Sequence, residues 1–136
     1  MPFTEHISHW RNRIRNAHPN LLLFAAGMAL MGIAGSMFET TFNNFLSDTF
    51  NLSADARGFL EFPRELPGFL TAVFAGVLFF VAETHIAAIA ALCIGTGMIG
   101  IAIWGGSWWS MIALMTLWST GAHVIMPVRS SISMDL

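Results

Sequence analysis

Four stretches of this chain, Leu21–Phe38, Leu66–Ala82, Ile86–Trp104 and Trp108–Val128, run for 18, 17, 19 and 21 residues without a single Asp, Glu, Lys or Arg. Roughly 20 apolar residues suffice to cross the hydrocarbon of a bilayer as a helix. Only helices and closed barrels satisfy their backbone groups in lipid, and runs of this length read as helices. The sequence therefore predicts an all-α, integral membrane bundle of four transmembrane helices, at about 19–44, 55–82, 85–104 and 108–128. A polar segment, 1–18, precedes them and a short tail, 129–136, follows. Composition agrees: 55% of residues are hydrophobic and 10% charged, where soluble domains carry about 25% charged residues.

The same composition narrows function. Lys is absent, and six Arg against eight acids leave a net charge of −2, so no basic footprint for nucleic acid exists. Cys93 is the only cysteine, which excludes an intrachain disulfide. No glycine loop of the nucleotide-binding kind occurs. No nucleophile, base and orienting group form a set, so enzyme activity is disfavoured and no cofactor is expected. His6 and His9 lie three apart, but without Cys or further His nearby they make a poor metal site.

Orientation follows from arginine, because cytoplasmic flanks of spans are enriched in Lys and Arg. Arg11, Arg13 and Arg15 precede the first span and Arg129 follows the fourth. The expectation is a multi-pass protein of the plasma membrane with a cytoplasmic N-terminus and outer loops at 39–57 and 105–107. Phe3, Ile7, Trp10 and Ile14 recur at helical spacing, suited to an amphipathic helix on the inner leaflet; a frayed polar tail is the alternative. A cleavable signal peptide fits poorly, since the polar lead is long and three more spans follow.

The functional argument rests on the few polar groups within the apolar stretches. Pro19 suits an initial helical position. Glu39 would sit about 27 Å along a helix from Leu21, with Asn43 on the same face one turn on; the pair forms either a polar patch towards a partner span or a helix end meeting water. In the second stretch, Glu61, Arg64 and Glu65 stand beside Pro63 and Pro67. If Ser53 and Asp55 mark the helix start, Arg64 and Glu65 lie roughly 14 Å inside. Charges at such depth face a cavity or pair with one another, and Glu61 and Arg64 are spaced to pair. The other possibility is that the helix starts at Pro67 and the charges lie in a loop. Gly68, Ala72 and Gly76 form a stripe of small residues for close helix packing, and Ala91, Gly95 and Thr96/Gly100 suggest another. In the fourth stretch His123 shares a face with Thr116 and Thr120. Imidazole changes charge near neutral pH, so His123 is read either as a proton carrier or substrate ligand, or as a neutral residue bonded to a neighbouring helix.

From these residues the chain resembles the opening third of a major facilitator superfamily transporter, over about residues 19–136. The likeness rests on a first span with a long polar outer end, the loop Phe45-Leu46-Ser47-Asp48-Thr49-Phe50-Asn51-Leu52-Ser53, the approach Ala56-Arg57-Gly58-Phe59-Leu60 and a tight inner turn before the third span. Of the inner-loop pattern Gly-x-Leu-x-Asp-Arg, Gly76 and Leu78 fit, but Phe80 occupies the acid position and the basic cluster is missing; Glu83 is a substitute acid. The resemblance marks a divergent member.

What it implies is a helical bundle of two six-helix halves around a midplane cavity, working by alternating access. The four spans here would then belong to a fragment, the tail from Val128 opening an inner loop towards missing C-terminal helices. The expected function is a secondary active transporter in the lipid bilayer, moving a small solute, coupled to protons or another ion. Glu39, Asn43, Glu61, Arg64, Glu65 and His123 would line its pathway or gate. Two other readings stay open. One is a four-span multidrug-efflux protein working as a dimer by proton exchange, which needs an acid deep in its first span. The other is an anchor or assembly subunit that transports nothing.

Overall fold

A computed structural model describes residues 18–78 and 81–135 of the chain. Among these residues all regular structure is helical: α1 (Pro19–Phe50), α2 (Ala54–Leu78), α3 (Glu83–Trp104) and α4 (Trp108–Asp135). The proposed amphipathic segment, with Phe3, Trp10 and the three leading arginines, lies outside the described residues, as does Phe80.

Each boundary has a local cause. Pro19 occupies the first turn of α1, and His18 caps it by accepting from the Asn20 amide at 3.3 Å. The helix does not stop near residue 44. Thr40 and Thr41 donate back to the carbonyls of Ser36 and Met37, and the Asn43 amide donates to the Glu39 carbonyl. These polar residues thus satisfy themselves within the helix, which continues until Asn51 turns left-handed at φ 46°, ψ 49°. Asn tolerates that conformation better than most residues. The expected outer loop, 39–57, shrinks accordingly to Asn51–Ser53. Ser53 then caps α2 by accepting from the Ala56 amide at 3.3 Å, so Glu61, Arg64 and Glu65 are helical and not in a loop.

α3 and α4 form a hairpin through Gly105–Ser107, with Ser107 accepting from the Ser110 amide at 3.3 Å. The last helix also outruns its expected end. Pro127 lies inside α4, and the helix continues through Arg129 to Asp135 instead of yielding to a loop at 129. Proline costs one backbone bond in a helix interior; here the far end is tied down, since Ser131 donates to the Glu83 carboxylate at the start of α3.

Three of the four helices, α1, α3 and α4, are long and apolar enough to cross a membrane. The fourth helix, α2, differs from these in its first twelve residues, which hold Asp55, Arg57, Glu61, Arg64 and Glu65. The described part of that helix ends at Leu78, within the apolar stretch.

Packing is uneven. The interface of α3 with α4 is the most extensive, that of α2 with α4 is smaller, and α1 meets α4 least, with Phe38 and Phe42 against Trp118 and Phe50 against Trp108. The core therefore forms around α4, where Met111, Met115 and Trp118 meet Phe42, Leu46, Leu60 and Ile101.

Candidate functional site

Three helices bring polar groups to one junction. α2 enters through a segment whose prolines remove two amide donors, at 63 and 67. Pro67 lacks the N–H that would bond the Pro63 carbonyl, and its ring crowds the same group. In an apolar surrounding such a carbonyl needs another partner. α4 supplies it: the Thr116 hydroxyl lies 3.5 Å from the Pro63 carbonyl, and the Ser119 hydroxyl donates to the Arg64 carbonyl. Ser119 is 2% exposed. Thr116 thus faces the carbonyl that Pro67 leaves unpaired, and Ser119 adds a second bond to the next carbonyl along.

The side chain of Arg64 points the other way, towards α1. Its guanidinium donates to Glu39 at 2.9 Å and to Glu61 at 3.4 Å. It also lies 5.7 Å from the centre of the Trp118 ring, close enough for a cation–π attraction. Arg64 sits about 15 Å along α2 from Ala54. One cation is therefore held by two carboxylates and an aromatic face, the kind of multiple pairing that makes a partly buried charge tolerable.

On the opposite side of α2, Glu65 and His123 meet, Nε2 to Oε2, at 3.3 Å. Hydrogen-bond bookkeeping assigns the imidazole. His123 Nδ1 lies 3.0 Å from the Ser119 carbonyl, and a carbonyl can only accept, so Nδ1 carries a hydrogen. The single Ser119 hydroxyl hydrogen goes to Arg64, which leaves its oxygen to accept from Nδ1 at 3.1 Å. With Nδ1 committed as donor, a neutral ring presents the Nε2 lone pair to Glu65. A bond between Nε2 and Oε2 then exists only with one further proton between them. Gly68 makes room for this ring, because a Cβ there would lie 2.7 Å from His123 Nε2.

The six residues read from sequence as a pathway or gate thus fall into two linked groups. Glu39, Asn43, Glu61 and Arg64 face the seam of α1 and α2, with Asn43, Glu61 and Arg64 lining a cavity of about 220 Å³. Glu65 and His123 face the seam of α2 and α4. The Arg64 backbone and Ser119 join them. Of the packing stripe, Gly68 meets α4 through His123, whereas Ala72 and Gly76 are exposed and a Cβ on Gly76 would meet nothing within 4 Å. The stripe read on α3 is also displaced. Gly100 packs on Leu114, but the closest approach uses Gly97 against the Trp118 backbone and Gly121 against Ala90 and Ile94. Ala91 and Gly95 instead line a second cavity of about 400 Å³ between α1, α3 and α4, mostly apolar but with Glu39 and Arg129 in its wall.

Sequence reasoning gave no role to Trp118, although it faces Arg64 and packs on both α1 and α3. Its ring packs 4.8 Å from Phe38 and 6.0 Å from Phe42, while its backbone carries Gly97. The signal available was its neighbour: Trp118-Ser119 is an aromatic and a hydroxyl on adjacent faces of a span rich in small residues. Glu83, considered as a replacement acid in an inner loop, begins α3 and bonds Ser131. Among the described residues no cluster of His, Cys, Asp and Glu suits a metal ion.

Comparison with known proteins found no family model that matches this sequence, and no curated protein or solved structure that matches it.

Proposed function

We propose that the chain forms part of the solute pathway of a secondary active transporter, with α1, α2 and α4 as its polar wall and the proton as coupling ion. One observation carries this reading: a continuous polar chain, Glu39–Arg64–Ser119–His123–Glu65, threads a junction otherwise made of phenylalanine, methionine and leucine. Ionisable groups at membrane depth mark ion or substrate paths far more often than they stabilise a bundle. At one end a cation is shared by two carboxylates of unequal closeness; at the other a bond between two side chains requires a proton. The Arg64 backbone and Ser119 connect the two ends.

The resemblance to the opening third of a major facilitator superfamily transporter agrees with this reading, in the plasma membrane with a cytoplasmic N-terminus. Glu39 already holds Arg64 at 2.9 Å, so the free acid needed by a small dimeric multidrug exchanger has no counterpart there. For a passive anchor, the same polar chain would have no use.

The test is transport by the protein of the complete reading frame in proteoliposomes that contain a pH-sensitive dye. Among a panel of amino acids, sugars and carboxylates, at least one solute should drive proton movement. Arg64→Ala should abolish uptake. Glu65→Gln should remove the proton signal while leaving solute exchange across the membrane. Uptake insensitive to both changes would sink the reading.

A further inference from the structure

The cavity between α1, α2 and α4 has a lining that specifies the chemistry of an occupant. Its apolar side is built from Phe42, Leu46, Leu60 and Met115, all buried. Its polar side is Asn43, Arg57, Glu61 and Arg64. The volume, about 220 Å³, falls below the roughly 300–1,000 Å³ of drug-sized sites, so the occupant is small. It must also offer both an apolar part and a polar part.

Charge decides the polar part. Arg57 and Arg64 bring two positive charges; Glu61, together with Glu39 on Arg64, brings two negative ones. A ligand of net charge would leave one charge of this balanced set unmatched beside the apolar wall, which is unfavourable. A zwitterion leaves none. The local geometry shows where each end would go. Arg57 takes part in none of the ion pairs among the described residues, and a guanidinium fork matches a carboxylate. Asn43 uses one amide hydrogen on the Glu39 carbonyl and retains a second donor. Glu61 is the weaker partner of Arg64, at 3.4 Å against 2.9 Å for Glu39, with 59% of its side chain exposed. It can turn to an ammonium group while Glu39 keeps Arg64 neutralised.

We propose that this cavity is a recognition site for a small zwitterion with an apolar side chain, an α-amino acid of the size of leucine or methionine. The carboxylate is held by Arg57 and Asn43, the ammonium by Glu61, and the side chain lies on Phe42, Leu46, Leu60 and Met115. This rests on the transporter reading and names the substrate class of its pathway.

The experiment is calorimetric titration of the full chain in phosphatidylcholine nanodiscs with L-leucine, 4-methylpentanoate and isoamylamine, the last two each lacking one charged group. Leucine should bind, and each analogue should bind at least tenfold more weakly. Arg57→Ala and Glu61→Gln should each weaken leucine at least tenfold, with tryptophan emission and thermal midpoint unchanged, and Arg57→Lys should recover part of the loss. No binding of leucine, or equal binding of leucine and 4-methylpentanoate, overturns the proposal without recourse to any variant. The two readings separate cleanly. Leucine bound as described, with neither leucine nor any other solute of the panel moved by the proteoliposomes, refutes transport and leaves the site standing. Proton-linked flux of other solutes by a protein that ignores leucine refutes the site and leaves transport standing.

Discussion

Two seams run along α4, and they are built on opposite principles. Against α3, side chains are removed: Gly97 and Gly121 let backbone approach backbone, with a Cβ on Gly97 only 2.6 Å from the Trp118 amide nitrogen. Against α1 and α2, side chains are long and charged or aromatic, and contact is made through Arg64, Ser119, His123 and a run of rings from Phe38 to Trp108. Lipid supplies no hydrophobic force between helices, so close packing and polar bonds are the two means left for holding them together. The first resists displacement, because interdigitated backbone has no second arrangement of similar energy. The second consists of bonds that can be exchanged one at a time. A rigid hairpin of α3 and α4 thus carries a more loosely held pair, α1 and α2.

The sharpest way to break this contrast is to fill the tight seam. Gly97→Leu should cost about 3 kcal/mol or more, the upper end for overpacking, read as a lower denaturant midpoint in mixed micelles. A loss below about 1 kcal/mol would mean that the seam yields, and that the two regions do not differ in kind. On the polar side, Arg64→Ala should cost about 1–3 kcal/mol, between the values for exposed and for buried pairs. Glu39 is 38% exposed, which keeps the figure below that for a dry pair. A double-mutant cycle with Glu39→Gln should show coupling; strict additivity would mean that the 2.9 Å contact contributes nothing.

How far the sequence revealed this arrangement depends on the kind of signal. Pro19, Ser53 and the apolar stretches gave the helices, since proline geometry, capping and hydrophobic length act locally. The pairing of Glu61 with Arg64 was legible from spacing alone, and the need for something to satisfy carbonyls freed by Pro63 and Pro67 was legible from covalent structure. Which groups would do so was not. Thr116, Ser119 and Thr120 are equally plausible on sequence, and only the rotation of α4 against α2 brings Thr116 to the freed Pro63 carbonyl and Ser119 to the neighbouring carbonyl of Arg64. Small-residue stripes failed for a related reason. Gly68, Ala72 and Gly76 are equivalent by spacing, but α4 meets only the first. The same ambiguity moved the α3 contact from Ala91 and Gly95 to Gly97. The polar end of α1 runs past the expected end near residue 44 to Phe50, and nothing in Phe45–Phe50 marks the stop as clearly as the left-handed Asn51 that follows, while Thr40, Thr41 and Asn43 each bond the preceding turn.

The smallest expected effects test that last selection on α2. Gly68→Ala places a methyl group against the His123 ring and should lower stability by about 1–3 kcal/mol, whereas Gly76→Ala meets open space and should be neutral or slightly stabilising. Equal responses in thermal unfolding would mean that His123 does not rest on Gly68.

Thr116 holds two carbonyls within reach, that of Ile112 in its own helix at 2.9 Å and that of Pro63 at 3.5 Å. A hydroxyl so placed is never stranded: if α2 swings away, the donor already has a home one turn back, and only the proline-side oxygen is surrendered to whatever fills the gap. Detachment therefore leaves a single acceptor to be wetted where separating an ordinary interhelical bond strands a donor as well. At this one contact, parting costs little more than a rotation about a side-chain bond, whereas the Ser119–Arg64 and His123–Glu65 contacts of the same seam must be given up outright.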